Sequence, residues 1–415
     1  ASDVESDKLT WSAKENFPEW LELLSNTALQ FDAKFGSYGS GDREFDLPSG
    51  VAVDSNGNIY VADRKNDGIQ KFDSNGTYDS KFGSNGSDDG ELSWPYNVAI
   101  DSSDNIYVVD YQNDRIQKFD NNGTYVSQFG SSGNTGNGNF SSPGGVAVDS
   151  NGNIYVADTG NDRIQKFDSN GTYVSKFGSS GSGDGEFGHP FGLAIDSNGN
   201  IYVADRDNDR IQKFDSNGTY ISEFGSNGTG EGQLDLPYDI AVDSSDDVYV
   251  ADYYNNRIQK FDSNGTYISE FGLNGTGEGE LDSPTGVAVD NSGNVYVADR
   301  NNHRIQKFSD GGVVLSGTPT SANVGEVYDV NLTVSDGTKT TDHNFQLTVQ
   351  CKGGNCAPTD ITITNTDVQE NNAIGKTIGI LSATDLDSTG SHAFALACAS
   401  AGTDDASFSI SGNEL

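Results

Sequence analysis

The chain has 415 residues, enough for two or three domains. Its 62 acidic residues outnumber 24 basic ones and leave a formal charge of −38, a surface that repels phosphate backbones and anionic lipid, so nucleic-acid partners are disfavoured. No apolar run is long enough for a membrane-spanning helix, so membrane insertion is not expected.

In chain order, residues 1–27 form a polar extension with one apolar patch: Trp11, Phe17, Trp20, Leu21, Leu23 and Leu24. Pro18 suits a helix start, and a short helix from about Pro18 to Ser25 is the expectation. The segment is expected either to cap the domain that follows or to dock on a neighbouring molecule through its exposed Trp and Leu side chains.

From residue 28 to 310 one motif recurs. Its clearest copy is PGGVAVDSNGNIYVADTGNDRIQKFDSNGTYVSKFG, Pro143 to Gly178. Gly145–Val148, Asn153–Ala157, Arg163–Phe167 and Thr172–Phe177 read as four strands; the last three alternate apolar with polar or small residues. Asn-Gly pairs between them supply the positive φ angles of tight hairpin turns. One copy is therefore a four-stranded antiparallel meander. The Asp that closes the second strand falls at Asp63, Asp110, Asp158, Asp205, Asp252 and Asp299, at spacings of 47 or 48 residues. The Pro before the first strand repeats in step, from Pro48 to Pro284. Six such units predict an all-β fold, a six-bladed β-propeller with four-stranded blades. The sixth unit loses its fourth strand after Phe308, and Leu29–Gly36 looks like the missing one. Phe35 lies 13 residues before Pro48, as Phe82 lies 13 before Pro95. The N-terminal strand is thus expected to complete the last blade.

The pattern G-V-A-V-D-x-x-G-N-I-Y-V-A-D-x-x-N-x-R-I-Q-x-F resembles the NHL repeat, over roughly Leu29 to Phe308. One copy departs from it, with Gly68 where the others carry Arg115, Arg163, Arg210, Arg257 and Arg304. The NHL family includes RNA-binding, peptide-processing, sensor and scaffold proteins, so the resemblance implies a fold and leaves the activity open.

In a propeller of this kind the loops between blades and those between strands two and three share one face, on which propellers usually bind. Its variable positions are Arg64-Lys65, Tyr111-Gln112, Thr159-Gly160, Arg206-Asp207, Tyr253-Tyr254 and Arg300-Asn301. Tyr111, Arg206, Tyr253, Tyr254 and Arg300 are the candidate ligand-binding residues, since Tyr and Arg are enriched at binding surfaces. The Asp after each second strand is assigned a structural role: it recurs in six equivalent places, where it can accept N–H groups of the following turn and pair with the repeated Arg. A catalytic group would break the symmetry. The Asp-Ser-Asn-Gly-Asn turns at Asp54, Asp149 and Asp196 resemble half a calcium loop, without the Gly and closing Glu of an EF-hand, and turn chemistry explains them. His189, His303, His343 and His392 are scattered. Lyases resembling this family use a His-based metal site, and the sequence presents no such cluster. No catalytic residue is assigned.

Asn-x-Ser/Thr sequons occur at Asn75, Asn85, Asn122, Asn139, Asn170, Asn217, Asn227, Asn264, Asn274 and Asn331. Five of these, Asn75, Asn122, Asn170, Asn217 and Asn264, occupy the same turn of successive blades, where Asn-Gly-Thr also makes a good hairpin.

Beyond the propeller the composition shifts. Residues 311–350 resemble the later half of a bacterial Ig-like domain, short for an independent sandwich. Residues 351–415 resemble a cadherin-like repeat, through Glu370, Ala383-Thr384-Asp385-Leu386-Asp387 and Phe408–Asn413. That resemblance implies Glu370, Asp385 and Asp387 as Ca²⁺ ligands, although Asn355-Cys356 replaces the usual Asp-Asn pair. No other cofactor is implied. Of the three cysteines, Cys351 with Cys356 is the expected disulfide and Cys356 with Cys398 its rival. With no Met in the chain, it reads as a processed mature form or a fragment.

These features support three readings. The first is an extracellular structural or adhesive scaffold that assembles head-to-tail, each subunit lending a strand to its neighbour's incomplete module, with itself or other surface proteins and glycans as partners. The second is a monomeric sensor or glycan- or peptide-binding propeller. The third is a lyase or hydrolase.

Overall fold

The computed structural model describes residues 29–310 throughout, and elsewhere the backbone of eight strands, at residues 10–13, 21–25, 313–317, 327–335, 340–348, 360–365, 379–384 and 395–397. Two compact units result: Gln30–Ser309, and Ala1–Leu29 together with Asp310–Leu415.

The first unit is the six-bladed propeller. Blade one is the meander Pro48–Val53, Ile59–Asp63, Gly68–Phe72 and Tyr78–Phe82, and blades two to five repeat it in sequence order. Blade six pairs Pro284–Val289, Val295–Asp299 and Arg304–Asp310, and its outer strand is Leu29–Phe35 from the other end of the chain. The expected closure is what forms. Phe31 meets Phe308 edge-on with ring centroids 6.4 Å apart, and Phe35 packs 4.7 Å from Phe72 of blade one.

The order of the strands from axis to rim follows from the residues they carry. The first strands touch their counterparts in both flanking blades and so ring the axis, with glycine where two of them approach most closely. The backbone there is so close that a Cβ built on Gly145 would lie 2.2 Å from the Phe191 carbonyl oxygen. Second strands such as Ile154–Asp158 are buried at every residue, and fourth strands such as Tyr173–Phe177 alternate half-buried with exposed. Apolar clusters lie between adjacent blades: Tyr107, Val109 and Ile116 of blade two pack with Val146, Val156 and Phe167 of blade three. Each buried Phe contributes on the order of 1.5–3 kcal/mol.

Polar latches tie the blades together. The residue before each repeated Pro has a left-handed backbone: Leu47, Trp94, Ser142, His189, Leu236 and Ser283, with φ between 49° and 58°. The amide of each donates to a side chain at the end of the preceding blade's turn, as Trp94 does to Asp67 at 2.8 Å and Ser142 to Asp114 at 2.7 Å. Asp162, Asp209 and Asn256 continue the series, and His303 closes it by accepting from Leu47.

The second unit comprises two four-stranded antiparallel sheets. In one, Thr10–Ala13 pairs with Val327–Ser335, which pairs with Thr340–Thr348 and that with Ala395–Ala397. In the other, Leu21–Ser25 pairs with Val313–Gly317, followed by Asp360–Asn365 and Gly379–Thr384. Leu21–Ser25 is thus a strand where a helix was expected. Its Leu-Glu-Leu spacing has the period of two that a strand needs, and a partner strand settles what a five-residue segment alone leaves open. Each sheet takes strands from both sides of residue 350. Glu370, Asp385, Asp387, Cys351 and Cys356 lie outside the described residues, and Asn331 lies within a strand.

Candidate ligand-binding face

The repeated Asp does the structural work assigned to it. Asp110 is fully buried; it accepts from Ser93 N–H at 2.7 Å, Arg115 Nε at 2.6 Å, and Asn113 Nδ2 at 2.9 Å. The amide it holds belongs to the segment entering the blade, and the turn contributes an Asn side chain, where the sequence suggested turn amides. The Arg guanidinium then reaches loop carbonyls such as Asp88 and Glu91. Blade one lacks this Arg, and its Asp63 is held by Asp46 N–H, Asn66 and Gln70 without a countercharge; burial pushes its carboxyl up to about 6. In the calcium-like turns, Asp54 Oδ1 accepts the Asn56 and Asn58 amides, at 2.9 and 2.8 Å, and Oδ2 accepts Asn58 Nδ2 at 2.7 Å. Those donors occupy the carboxylate as turn chemistry requires. The five sequons at equivalent turns, Asn75, Asn122, Asn170, Asn217 and Asn264, are exposed.

Departures from six-fold repetition concentrate on one face. The first residue of the turn after strand two is Arg64, Tyr111, Thr159, Arg206, Tyr253 and Arg300 in successive blades. The residue after the repeated Pro is Ser49, Tyr96, Gly144, Phe191, Tyr238 and Thr285. These two positions adjoin, because the turns contact the starts of the first strands.

The large residues meet. Tyr96 of blade two and Phe191 of blade four have centroids 4.9 Å apart, reaching past blade three. Gly144 permits this: a Cβ there would lie 2.9 Å from the Phe191 ring. Phe191 packs 4.8 Å from Tyr238, Tyr238 4.6 Å from Tyr253, Tyr253 5.0 Å from Tyr254, and Tyr96 5.4 Å from Tyr111. Tyr96 and Phe191 are buried, Tyr111, Tyr238 and Tyr253 half-buried, and Tyr254 is 59% exposed.

Three guanidiniums lie against these rings. Arg64 sits 4.5 Å from the Trp94 centroid and 4.7 Å from that of Tyr96. Arg206 sits 5.3 Å from Phe191 and 5.5 Å from Tyr238, and Arg300 donates to the Tyr253 hydroxyl at 2.7 Å. Burial pushes the Tyr96 phenol well above the usual tyrosine range, and the charges of Arg64 and Arg300 oppose that rise.

One residue further along the first strand, four blades carry Gly50, Gly145, Gly192 and Gly286, and two carry Asn97 and Asp239. The exceptions belong to opposite blades, and Asn97 Nδ2 donates to Asp239 Oδ1 across the axis at 3.3 Å. Asp239 Oδ2 accepts the Val287 amide at 3.1 Å. The Asp239 carboxylate is buried without a cation, and desolvation raises it to about 7.

The five face residues chosen from sequence are therefore brought together, joined by Arg64, Trp94, Tyr96, Phe191 and Tyr238. Most of these follow or precede the repeated Pro, and comparing that position between copies would have exposed the Ser, Tyr, Gly, Phe, Tyr, Thr series. Among the described residues no group of three or more His, Cys, Asp or Glu is placed to hold a metal ion. No described helix is long and apolar enough to cross a membrane.

The propeller carries NHL repeats: the NHL repeat model matches residues 45–72, 140–167, 187–214, 234–261 and 281–308. A 62-residue segment is 39% identical to the B-box type zinc finger protein ncl-1 of Caenorhabditis elegans, covering 15% of this chain and 7% of that protein. The chain thus spans a small fraction of that relative's length. Among solved structures, the fold is similar to a structural-genomics protein of unknown function from Bacteroides thetaiotaomicron, with TM-score 0.54, 16% identity, and 71% and 76% of the two chains covered. It is also similar to XC5397, a gluconolactonase from Xanthomonas campestris, with TM-score 0.50, 14% identity, and 69% and 99% coverage. At these identities the likeness is one of fold.

Proposed function

We propose that the propeller is a binding module that takes a ring-bearing ligand on the aromatic face, rather than an enzyme. The observation that carries this reading is the contact of Tyr96, Phe191 and Tyr238, which reaches across blades two to five and breaks an otherwise close six-fold repeat. Aromatic faces, with a hydroxyl or guanidinium at the rim, stack on sugar or side-chain rings and orient them by hydrogen bonds. The run of rings ends at the surface, in a Tyr254 that is 59% exposed.

The scaffold reading drew on modules short of strands. Strands at residues 10–13 and 21–25 pair with Val327–Ser335 and Val313–Gly317 from within the chain, which weakens the case for a strand lent by a neighbouring molecule. An extracellular setting remains part of the proposal, supported by the charge of −38 and ten sequons. Binding of the purified protein to glycan and peptide arrays tests the function, with the Tyr253→Ala/Tyr254→Ala double variant as control. Retention that the double variant loses supports the reading. Retention that it keeps, or none at all, removes it.

A further inference from the structure

Resting on that reading, we infer that the ligand is an oxyanion: a ring bearing a carboxylate, received by Arg64 and Arg300 while the ring lies on the tyrosines.

The argument starts from where the arginines are. The chain has nine. Five, at Arg115, Arg163, Arg210, Arg257 and Arg304, are the repeat arginines bound to a buried Asp. Of the other four, Arg43, Arg64, Arg206 and Arg300, all but Arg43 converge on the aromatic face. In a chain with 38 excess negative charges, clustering cations is the less expected outcome.

Two of the three also lack the carboxylate partner that the repeat guanidiniums have. Arg206 is held by Asp207 at 2.9 Å. Arg64 and Arg300 form no ion pair among the described residues, and Nε of each is buried without a hydrogen-bond partner. A buried N–H left unsatisfied is unfavourable, and both cations border the one run of rings, Arg64 on Tyr96 and Arg300 on Tyr253, with no anion beside them among the described residues. An oxyanion bound beside these guanidiniums would supply the countercharge that they lack. Guanidinium suits a carboxylate particularly well, because its parallel N–H groups match the two oxygens. The rings beneath play the complementary part, since Arg64 already stacks on Trp94 and Tyr96 and its position is set before a ligand arrives.

The same chemistry occurs in acidic saccharides and in aromatic carboxylic acids, and matched probes separate them. Titration calorimetry at low and moderate salt would compare oligogalacturonate with neutral oligogalactose, and benzoate with benzyl alcohol. The expected result is that at least one carboxylate binds about tenfold or more tighter than its neutral partner. Its affinity should fall as salt rises. Arg64→Gln and Arg300→Gln should each remove most of that preference, while Arg43→Gln should not. Neutral probes binding as well as acids would overturn the inference and leave the aromatic-face reading standing. Absence of binding by all four probes, alongside an array without hits, would end both. Unfolding midpoints of the variants, expected within a few degrees of wild type, separate lost binding from lost fold.

Discussion

The amide of Leu47 donates to Nδ1 of His303 at 3.1 Å across 256 residues of sequence, and the contact is the sixth of six equivalent latches. Elsewhere an Asp or Asn oxygen plays the acceptor, as Asp209 does for Leu236 and Asn256 for Ser283. For Nδ1 to accept, the ring must be neutral with its proton on Nε2. His303 is held in place by Tyr38, whose ring meets it edge-on at 4.7 Å. This histidine looked isolated in the sequence because its role belongs to the ring closure, which no local pattern reports.

His303→Ala should therefore weaken the propeller by about 1 kcal/mol, the net worth of one hydrogen bond. His303→Asn, which reproduces the residue of blade five, should restore most of that loss. Urea unfolding followed by tyrosine and tryptophan fluorescence measures both. Equal midpoints for the Ala and Asn variants would show that the latch contributes nothing.

Blade one offers a substitution that should stabilise. Gly68 occupies the place of the repeat Arg, and its backbone is not left-handed; the nearest atom to a Cβ built there is the Phe82 carbonyl oxygen at 3.3 Å. Gly68→Arg should give Asp63 the countercharge that Asp110 receives from Arg115 at 2.6 Å. Asp63 is raised to about 6 in the fold, so it favours the folded state at low pH, and that contribution fades as pH rises from the ordinary carboxylate range through 6. The Arg should lower this pKa and lessen the fading, as Arg304 opposes the burial that raises Asp299. A gain of about 1–3 kcal/mol at pH 7–8, and less at pH 4, is expected from charge-assisted bonds. A variant no more stable than wild type at pH 8 would mean the guanidinium does not reach Asp63.

Much of this architecture was legible in the sequence, and the rest was not for definite reasons. The Asn-Gly turns recur in five blades, and the alternation in Arg163–Phe167 and the spacing of Asp63 to Asp299 in all six, so errors in one copy are corrected by the others. The displaced strand at Leu29–Phe35 announced itself by the same register. Residues 21–25 had no second copy, and their strand depends on pairing with Val313–Gly317 almost three hundred residues away. The face residues Tyr111, Arg206, Tyr253, Tyr254 and Arg300 were found because they vary within a constant frame. Phe191 and Tyr238 vary too, but their meeting with Tyr96 depends on Gly144 clearing the space above blade three, a fact of packing rather than of pattern.

Asp239 makes a last prediction, on pH. It is buried, faces Asn97 across the axis, accepts the Val287 and Ile240 amides and has no cation to neutralise it, so its carboxyl rises to about 7. A raised folded-state pKa means the protonated form fits the fold better. Its contribution to stability is complete below about pH 4, near the carboxyl's unfolded value, and is lost as pH climbs through 7. In Asp239→Gly, which copies the four blades with glycine at this position, the slope of unfolding free energy against pH between 4 and 7 should become less negative. The mutant will also lose the bridge to Asn97, which lowers stability at every pH, so the slope rather than the level is the diagnostic quantity. Urea titrations at half-unit pH steps give it directly. Parallel slopes for wild type and mutant would mean that Asp239 stays ionised throughout, with the hydrogen bonds from Asn97 and Val287 sufficient to hold its charge.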